Sequence, residues 1–386
     1  MRFEFATATR IIFGPGTVSE VPPIAAGIGK HTCIVTGRSA ERAQFLIAQL
    51  QEQNIECVTF NVSGEPTTTL VKEGVEFARE AGSEFVISIG GGSVLDTGKA
   101  IAAMLTNKSK LENYLEVVGA GKPLVNNAAP HITIPTTAGT GAEVTRNSVL
   151  SVSEHKVKVS MRSPLMLPTL AVVDSLLTHS MSPSITAFTG LDALTQLIEA
   201  FVSKKSNPLT NGICREGITA AARSLQIAFE NGSDANARED MSLASLFSGL
   251  ALANSGLGAV HGFAGPLGGM ISAPHGAVCA ALLPHVMEIN VRTLQKRQPD
   301  STVLKRYDII AQILTNSARA QAADAVEWIQ KLCLKLQVPS LAKLGLQKQD
   351  FPTAIAKLQN SSSMKGNPIE LAEDELHEIL TKAFNS

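Results

Sequence analysis

Three histidines stand in a stretch that is otherwise small and apolar, between residues 257 and 290. They are His261, His275 and His285. Upstream, Asp192 and Gln196 lie four residues apart, so they share one face of a predicted helix. An imidazole among apolar residues must be hydrogen-bonded or bound to a ligand. One carboxylate and two imidazoles from separate helices form a plausible set of ligands, so the pattern predicts a divalent metal site. Satisfied core histidines and a helix-capping aspartate are the structural alternative at the same spacing.

Two glycine-rich loops are the second feature with a chemical meaning. The first, GGGS at residues 90–93, joins a predicted strand to a predicted helix. Glycines there let the backbone approach a phosphate, and the start of the helix offers free N–H groups. The second loop, TTAGTG at residues 136–141, also follows a predicted strand. Two such loops predict a dinucleotide across the carboxyl edge of a sheet, while a tight turn and a threonine-capped turn are the alternatives.

The elements that must position these groups change in type partway along the chain. In the first half, β-branched segments such as residues 85–92 alternate with amphipathic helices. Such alternation predicts a mostly parallel sheet with helices on both faces. After Asp174 the strand pattern ends, and the main segments beyond it, including 258–292, are predicted to be helical. We therefore expect an α/β dinucleotide-binding domain over residues 1–178 and an all-α domain carrying the metal over residues 179–386.

The composition excludes several classes of protein. The chain has 386 residues, with 33 lysines and arginines against 34 aspartates and glutamates. A formal net charge of −1 without a basic face argues against nucleic acid or an anionic membrane as a partner. No uninterrupted apolar run reaches a membrane-spanning length, and the N-terminus lacks the apolar core of a signal peptide. The five cysteines form no CxxC pair, which predicts buried free thiols in a cytoplasmic protein.

Seven motifs, in order along the chain, resemble those of the iron-containing (group III) alcohol dehydrogenase family, in the dehydroquinate synthase-like superfamily. They are FGPGT (13–17), GGGSVLDTGKA (90–100), IPTTAGTGAEVT (134–145), GLDALTQLIEAFVS (190–203), VHGFAGPLGG (260–269), APHGAVCAALLPHVMEIN (273–290) and GNPIEL (366–371). The resemblance implies a dehydroquinate synthase-like fold, with a metal and a nicotinamide in the cleft between the two domains. It also implies a set of cofactor-binding residues in and beyond the glycine-rich loops. They are Gly91, Gly92, Ser93, Asp96, Thr136, Thr137, Thr140, Asn147 and Lys158.

The metal ligands implied by the resemblance are Asp192, His261 and His275. The family usually places a histidine four residues after the aspartate, and here that residue is Gln196. Because an amide oxygen binds iron or zinc more weakly than an imidazole, Gln196 is expected to be a weak fourth ligand. Either Fe²⁺ or Zn²⁺ is then expected, and a site without metal, as in maleylacetate reductases, is the alternative. A second departure is Gly265, where many members carry an extra cleft histidine.

The residues after the first predicted strand bear on the choice of dinucleotide. Family members that use NAD tend to carry an acidic residue there, which accepts a hydrogen bond from the ribose 2′-OH. Here the positions are occupied by Gly37, Arg38 and Ser39. Since no carboxylate repels a 2′-phosphate, and an arginine and a serine can bind one, we expect NADP(H) in preference to NAD(H).

The activity implied by the resemblance is hydride transfer between NAD(P)(H) and a small alcohol or aldehyde. A divalent metal would assist by stabilising the alkoxide or polarising the aldehyde. No protein general base is assigned, and a homodimer is expected from the resemblance alone. The alternatives are a metal-free NAD(P)H-dependent reductase of the maleylacetate reductase type and a dehydroquinate synthase-like lyase.

Overall fold

The computed structural model of the protein describes residues 2–155, 157–359 and 361–386. These residues divide into two compact units. The α/β unit comprises Ala6–Thr137 and Gly141–Thr178. The helical unit comprises His179–Ser386, together with Ala138–Thr140 and the described residues up to Phe5.

Most strands of the α/β unit form one parallel sheet. In chain order they are β1 (Arg10–Phe13), β2 (His31–Gly37), β3 (Glu56–Val62), β4 (Phe85–Gly90), β5 (His131–Pro135), β6 (Asn147–Val152), β7 (Val157–Arg162) and β8 (Leu170–Val173). Within the described residues, six of these strands pair in parallel, in the order β1-β8-β5-β4-β2-β3. The other two, β6 and β7, form a separate antiparallel pair.

Helices bury this sheet on both faces. They are α1 (Val21–Ala26), α2 (Gln44–Glu52), α3 (Thr68–Glu80) and α4 (Gly92–Thr106). Successive residues of β2 point to opposite faces: Cys33 and Val35 belong to the apolar core that includes α3 and α4, whereas Ile34 belongs to the core that includes α1 and α2. Burial on both faces explains why β4, with the sequence FVISIG, is almost entirely apolar.

The helical unit is organised around one central helix. Its helices are α5 (Pro183–Val202), α6 (Pro208–Glu230), α7 (Ala235–Ser255), α8 (Ala259–Met270), α9 (His275–Arg297), α10 (Thr302–Thr315), α11 (Ala322–Lys335), α12 (Phe351–Gln359) and α13 (Glu373–Asn385). Helix α5 packs against α6, α7 and α9. It is long and apolar enough to cross a membrane, but 83% of that stretch is buried inside the protein, as is typical of a core helix. The predicted fold class, a mostly parallel α/β sheet followed by a helical region, is confirmed.

The prediction of unbroken helix through residues 258–292 is wrong. Helix α8 ends at Met270 and α9 begins at His275, with Ile271 in an extended conformation between them. Pro274 stands directly before α9 and disfavours a helical backbone at the residue that precedes it, which accounts for the break. In one continuous helix, His261 and His275 would be about 21 Å apart, since each residue adds about 1.5 Å. The break therefore allows the two imidazoles to approach.

Candidate functional site

Three helices of the helical unit bring Asp192, His261 and His275 together. Asp192 lies in the middle of α5, His261 in the first turn of α8, and His275 at the first position of α9. Nε2 of His261 lies 3.3 Å from Oδ1 of Asp192, and Nε2 of His275 lies 3.8 Å from the same oxygen. The side chains of Asp192 and His261 are buried, whereas that of His275 is 39% exposed. The cluster is therefore accessible from the side of His275.

The chemistry of this cluster fits a divalent metal ion. Oδ1 of Asp192 and Oε1 of Gln196 are buried oxygens that accept no hydrogen bond from the described residues. Gln196 follows Asp192 by one turn of α5. A buried oxygen that accepts no hydrogen bond costs free energy, so two such oxygens on the helix that faces two imidazoles indicate a place suited to a cation.

Glu199 fixes the orientation of His261 from behind. Nδ1 of His261 donates a hydrogen bond of 2.7 Å to Oε2 of Glu199, which leaves Nε2 facing Asp192. A carboxylate behind a metal-binding histidine is a frequent arrangement, because it sets the tautomer and the plane of the ring. This role of Glu199 was not predicted from the sequence, although its spacing of seven residues from Asp192, on the same face of α5, was an available signal.

The start of α8 is also fixed by side chains that are distant in sequence. Gly258 occupies the position before the helix and has no side chain with which to cap it. Instead, Glu199 accepts a hydrogen bond of 2.7 Å from the N–H group of Val260, and Oδ1 of Asn367 accepts one of 3.1 Å from that of Ala259. These contacts satisfy N–H groups that a helix start leaves free, and they hold the first turn, which carries the histidine, in place.

Thr140 positions the carboxylate of Asp192. Its Oγ1 donates a hydrogen bond of 2.9 Å to Oδ2 of Asp192, so the other oxygen, Oδ1, faces the two imidazoles. Although Thr140 lies in the second glycine-rich loop, it groups with the helical unit. The role of Thr140 in binding the dinucleotide stays a prediction.

The members of the cluster shift one another's pKa. Burial alone would raise the pKa of Asp192, but the contact with His261 and the positive charge of His275 lower it to about 2. Burial alone would lower the pKa of His261, but its interactions with Cys279 and Asp192 raise it well above the ordinary value. The pKa of His275 is also raised, chiefly by its electrostatic interaction with Cys279. A metal ion must displace protons from these imidazoles, so metal binding is expected to weaken at acidic pH.

Cys279 also belongs to this cluster, although the sequence predicts only a buried free thiol at this position. It lies one turn after His275 on α9, and its Sγ is 3.6 Å from Nε2 of His275 and 3.8 Å from Nε2 of His261. One ligand atom from each of Asp192, His261, His275 and Cys279 lies within 4.8 Å of the others. The spacing of four residues from His275 was the available signal, because such residues share one face of a helix.

A second group of predicted residues lies at one edge of the parallel sheet. Strand β4 lies between β2 and β5, so the segments that follow these strands, residues 37–39, 91–93 and 136–137, lie at neighbouring carboxyl ends. Helix α4 begins without a side-chain cap, and a Cβ added at Gly92 would meet no described atom within 4 Å. Open space and free N–H groups at a helix start fit a pyrophosphate. The next two strands along the chain after β2, namely β3 and β4, lie on opposite sides of it. Doubly wound sheets bind nucleotides at the point where successive connections change sides in this way.

Three other residues predicted to bind the cofactor have partners within the α/β unit. Asp96 forms an ion pair of 2.8 Å with Lys99, and the backbone carbonyl of Asn147 accepts a hydrogen bond from the same lysine. Lys158 forms an ion pair of 3.0 Å with Glu65. The contact of Asp96, Asn147 and Lys158 with a dinucleotide stays a prediction.

Two family models match the chain over most of its length. Residues 8–175 match the model described as iron-containing alcohol dehydrogenase. Residues 186–384 match the C-terminal model of the Fe-containing alcohol dehydrogenase family. The predicted resemblance is therefore confirmed in both halves of the chain.

Individual relatives agree with the family models. The chain is 32% identical over 391 residues to the 1,3-propanediol dehydrogenase of Klebsiella pneumoniae, covering 99% of each protein. A solved structure of a 1,3-propanediol oxidoreductase matches it with a TM-score of 0.91 at 32% identity, covering 100% of both chains. The structure of sulfoacetaldehyde reductase from Bifidobacterium kashiwanohense in complex with NAD⁺ matches with a TM-score of 0.88 at 27% identity, again covering 100% of both. These comparisons favour neither the metal-free reductase nor the lyase.

Proposed function

Because the chain belongs to the iron-containing alcohol dehydrogenase family, we propose that Asp192, His261 and His275 hold its divalent metal ion. The chain is an oxidoreductase that interconverts alcohols and aldehydes, with a nicotinamide dinucleotide and a metal as cofactors. The observation that carries the proposal is the convergence of three ligand atoms from three helices on one largely buried point.

The residues of the chain prepare this point for the reaction. When bound, the metal would polarise the substrate oxygen, and the nicotinamide would supply or take up the hydride. Thr140 and Glu199 hold Asp192 and His261 from behind, so that Oδ1 and Nε2 keep one orientation. A fixed orientation matters because little of the binding free energy is then spent on arranging the ligands. The partly exposed face of His275 is the side from which the substrate approaches.

The proposal extends to the choice of dinucleotide, which we assign to NADP(H). Arg38 and Ser39 are exposed directly after β2, at the strand end adjacent to that of β4. A guanidinium and a hydroxyl at this position suit a 2′-phosphate, and the preceding Gly37 offers no carboxylate to repel it. The relative in complex with NAD⁺ supports a nicotinamide dinucleotide as the cofactor. Its position at this edge and the preference for NADP(H) rest on the residues of this chain.

We further propose that the protein works in the cytoplasm as a homodimer. The balanced charge and the free thiols support the first assignment. The second rests on the resemblance to the family alone. For a site with oxygen and nitrogen ligands alone, iron and zinc are both suitable metals.

The purified protein would be tested for oxidation of NADPH and NADH with a panel of aldehydes, before and after treatment with a chelator. We expect turnover that is lost with the metal and restored by zinc or ferrous iron. Asp192→Asn keeps the shape of the side chain and removes its charge. Its metal affinity is expected to fall by more than roughly 100-fold, because the loss of a residue that only supports a ligand can already cost that much.

Asp300→Asn is the matched control, because Asp300 is exposed in the turn after α9. It is expected to leave metal content and turnover unchanged. Turnover that survives both complete removal of metal and Asp192→Asn would contradict the proposal. So would the absence of turnover with every aldehyde and alcohol when metal and dinucleotide are both bound.

A further inference from the structure

Helix α9 presents a thiol to the same point as the three proposed metal ligands. Cys279 is fully buried and lies one turn after His275, on the face of α9 that carries the imidazole. The side-chain partners of its Sγ among the described residues are Nε2 of His275, at 3.6 Å, and Nε2 of His261, at 3.8 Å. Cys214 is equally buried on α6, yet it belongs to no such group of ligands in the described part of the chain.

The distances among these groups match those of a tetrahedral zinc site. With Zn–N bonds of about 2.0–2.1 Å and Zn–S bonds of about 2.3 Å, ligand atoms around one centre lie roughly 3.3–3.6 Å apart. The observed separations are 3.3 Å for His261 to Asp192, 3.6 Å for Cys279 to His275, and 3.8 Å for both Cys279 to His261 and His275 to Asp192. Adjustments of a few tenths of an ångström in these four separations would bring them to tetrahedral values.

We propose that Cys279 binds the metal as a thiolate, in an Asp-His-His-Cys set that selects zinc over ferrous iron and to which the substrate oxygen adds as a fifth ligand. The inference rests on the metal site proposed above and adds a ligand and a preferred metal to it. Gln196 is a weak ligand, so without Cys279 the site would have three strong ligands. Thiolate sulfur is a soft donor, and mixed cysteine and histidine sets in tetrahedral geometry are typical of zinc.

The binding step is an exchange of a proton for a metal ion. The Sγ–H bond of Cys279 breaks, its proton passes to solvent, and the sulfur electron pair forms the bond to the metal. Nothing is oxidised or reduced. The inference can be measured apart from enzyme activity, because a thiolate bound to a suitable metal ion gives a sulfur-to-metal charge-transfer band.

The test uses the full-length protein, freed of metal and titrated with Co²⁺, which takes the tetrahedral geometry of zinc and is coloured. The wild type is expected to show a sulfur-to-cobalt charge-transfer band in the near ultraviolet, together with strong visible bands. Cys279→Ala and the milder Cys279→Ser are expected to lack the charge-transfer band. Cys214→Ala is the matched control and is expected to keep it, because Cys214 is a buried thiol in the same unit.

Selectivity is tested by competition for Zn²⁺ and Fe²⁺ under anaerobic conditions. Loss of Cys279 is expected to weaken zinc binding by at least roughly 10- to 100-fold and to weaken iron binding less. Circular dichroism checks that each variant is folded, and Cys279→Ser serves if Cys279→Ala is not. An equal loss for the two metals would overturn the selectivity.

The outcomes separate this inference from the proposed function. In one outcome, the wild type binds cobalt without a charge-transfer band, while Asp192→Asn abolishes that binding. This result would overturn the role of Cys279 and leave the proposed metal site intact. A band that persists in both Cys279 variants would also overturn it. Cobalt, zinc and iron that all fail to bind the wild type would overturn both proposals.

Discussion

Nδ1 of His261 donates a hydrogen bond of 2.7 Å to Oε2 of Glu199, a residue 62 positions earlier in the chain. Since an ionised carboxylate can only accept, the hydrogen resides on Nδ1, and in the neutral ring Nε2 keeps its lone pair. Nε2 lies 3.3 Å from Oδ1 of Asp192, so a metal ion that displaces its proton finds this lone pair beside the carboxylate. One carboxylate on α5 thus sets the tautomer of a proposed ligand on α8, while another carboxylate on the same helix is itself a proposed ligand.

The first prediction concerns Glu199→Gln. The amide keeps the size of the side chain but removes the charge that holds the hydrogen on Nδ1 of His261. We expect metal affinity to fall by roughly 10- to 100-fold, the usual range for such partners. Competition with a chromophoric chelator measures the change. Glu216→Gln, at an exposed position of α6, is the control, and an equal effect in both variants would contradict the role of Glu199.

The second prediction concerns Gly276, where α9 begins against α5. A Cβ at this position would lie 2.3 Å from the carbonyl oxygen of Phe188 and 2.8 Å from its carbonyl carbon. Backbone atoms cannot yield as a flexible side chain can, so Gly276→Ala is expected to push the start of α9, with His275, away from α5. We expect a loss of about 1–3 kcal/mol in the free energy of unfolding, as for other overpacked sites. Metal affinity should fall as well, although no ligand is altered.

Urea unfolding of the metal-free protein and metal titration measure the two effects of Gly276→Ala. Gly212→Ala on α6 is the control, because an added Cβ there would meet nothing within 4 Å. If Gly276→Ala lost stability but bound metal as tightly as the wild type, the spacing of α5 and α9 would not determine the site.

The third prediction concerns Arg38→Ala and the preference for NADP(H). A hydrogen bond to a charged group contributes about 1.5–3 kcal/mol, so removing the guanidinium is expected to raise KM for NADPH by roughly 10- to 100-fold. KM for NADH should change little, because its ribose carries no 2′-phosphate. Steady-state kinetics with both coenzymes measure the ratio, and Arg42→Ala, also exposed after β2, is the control. A wild type that prefers NADH would contradict the assignment.

The fourth prediction concerns Glu143, a buried side chain in the α/β unit whose Oε1 accepts no hydrogen bond from the described residues. Burial raises the pKa of this carboxyl from 4.5 to about 7. Between these two values the folded protein keeps a proton that the unfolded chain has lost, so stability falls as pH rises through this range and then levels off. A shift of this size corresponds to a cost of about 3 kcal/mol above pH 7.

Glu143→Gln removes this cost, because the amide does not ionise. Relative to the wild type, the variant is expected to gain about 3 kcal/mol of unfolding free energy between pH 4 and pH 8. Urea unfolding across this range measures the gain. Glu52→Gln, at an exposed position of α2, should show no comparable trend. A constant difference between Glu143→Gln and the wild type at all pH values would contradict the prediction.

The sequence by itself determined the elements of the fold. The strand segment predicted over residues 85–92 forms β4, and the glycines after residue 89 mark the end of β4 and the start of α4. The change from strands to helices beyond residue 174 was also predicted. These features are local, because side-chain periodicity, β-branching and helix-start residues act within a few positions of the chain. The family followed from motifs of the same short range.

Only the tertiary structure decided which side chains meet. The break at residues 271–274, the contact of Glu199 with His261 and the position of Cys279 beside two imidazoles depend on how α5, α8 and α9 pack. Packing sums many weak contacts between residues far apart in sequence, and no local pattern records its result. The residue types could therefore suggest a metal site. The orientation of Asp192 by Thr140, and the fourth donor now proposed, could be recognised only once the helices were in place.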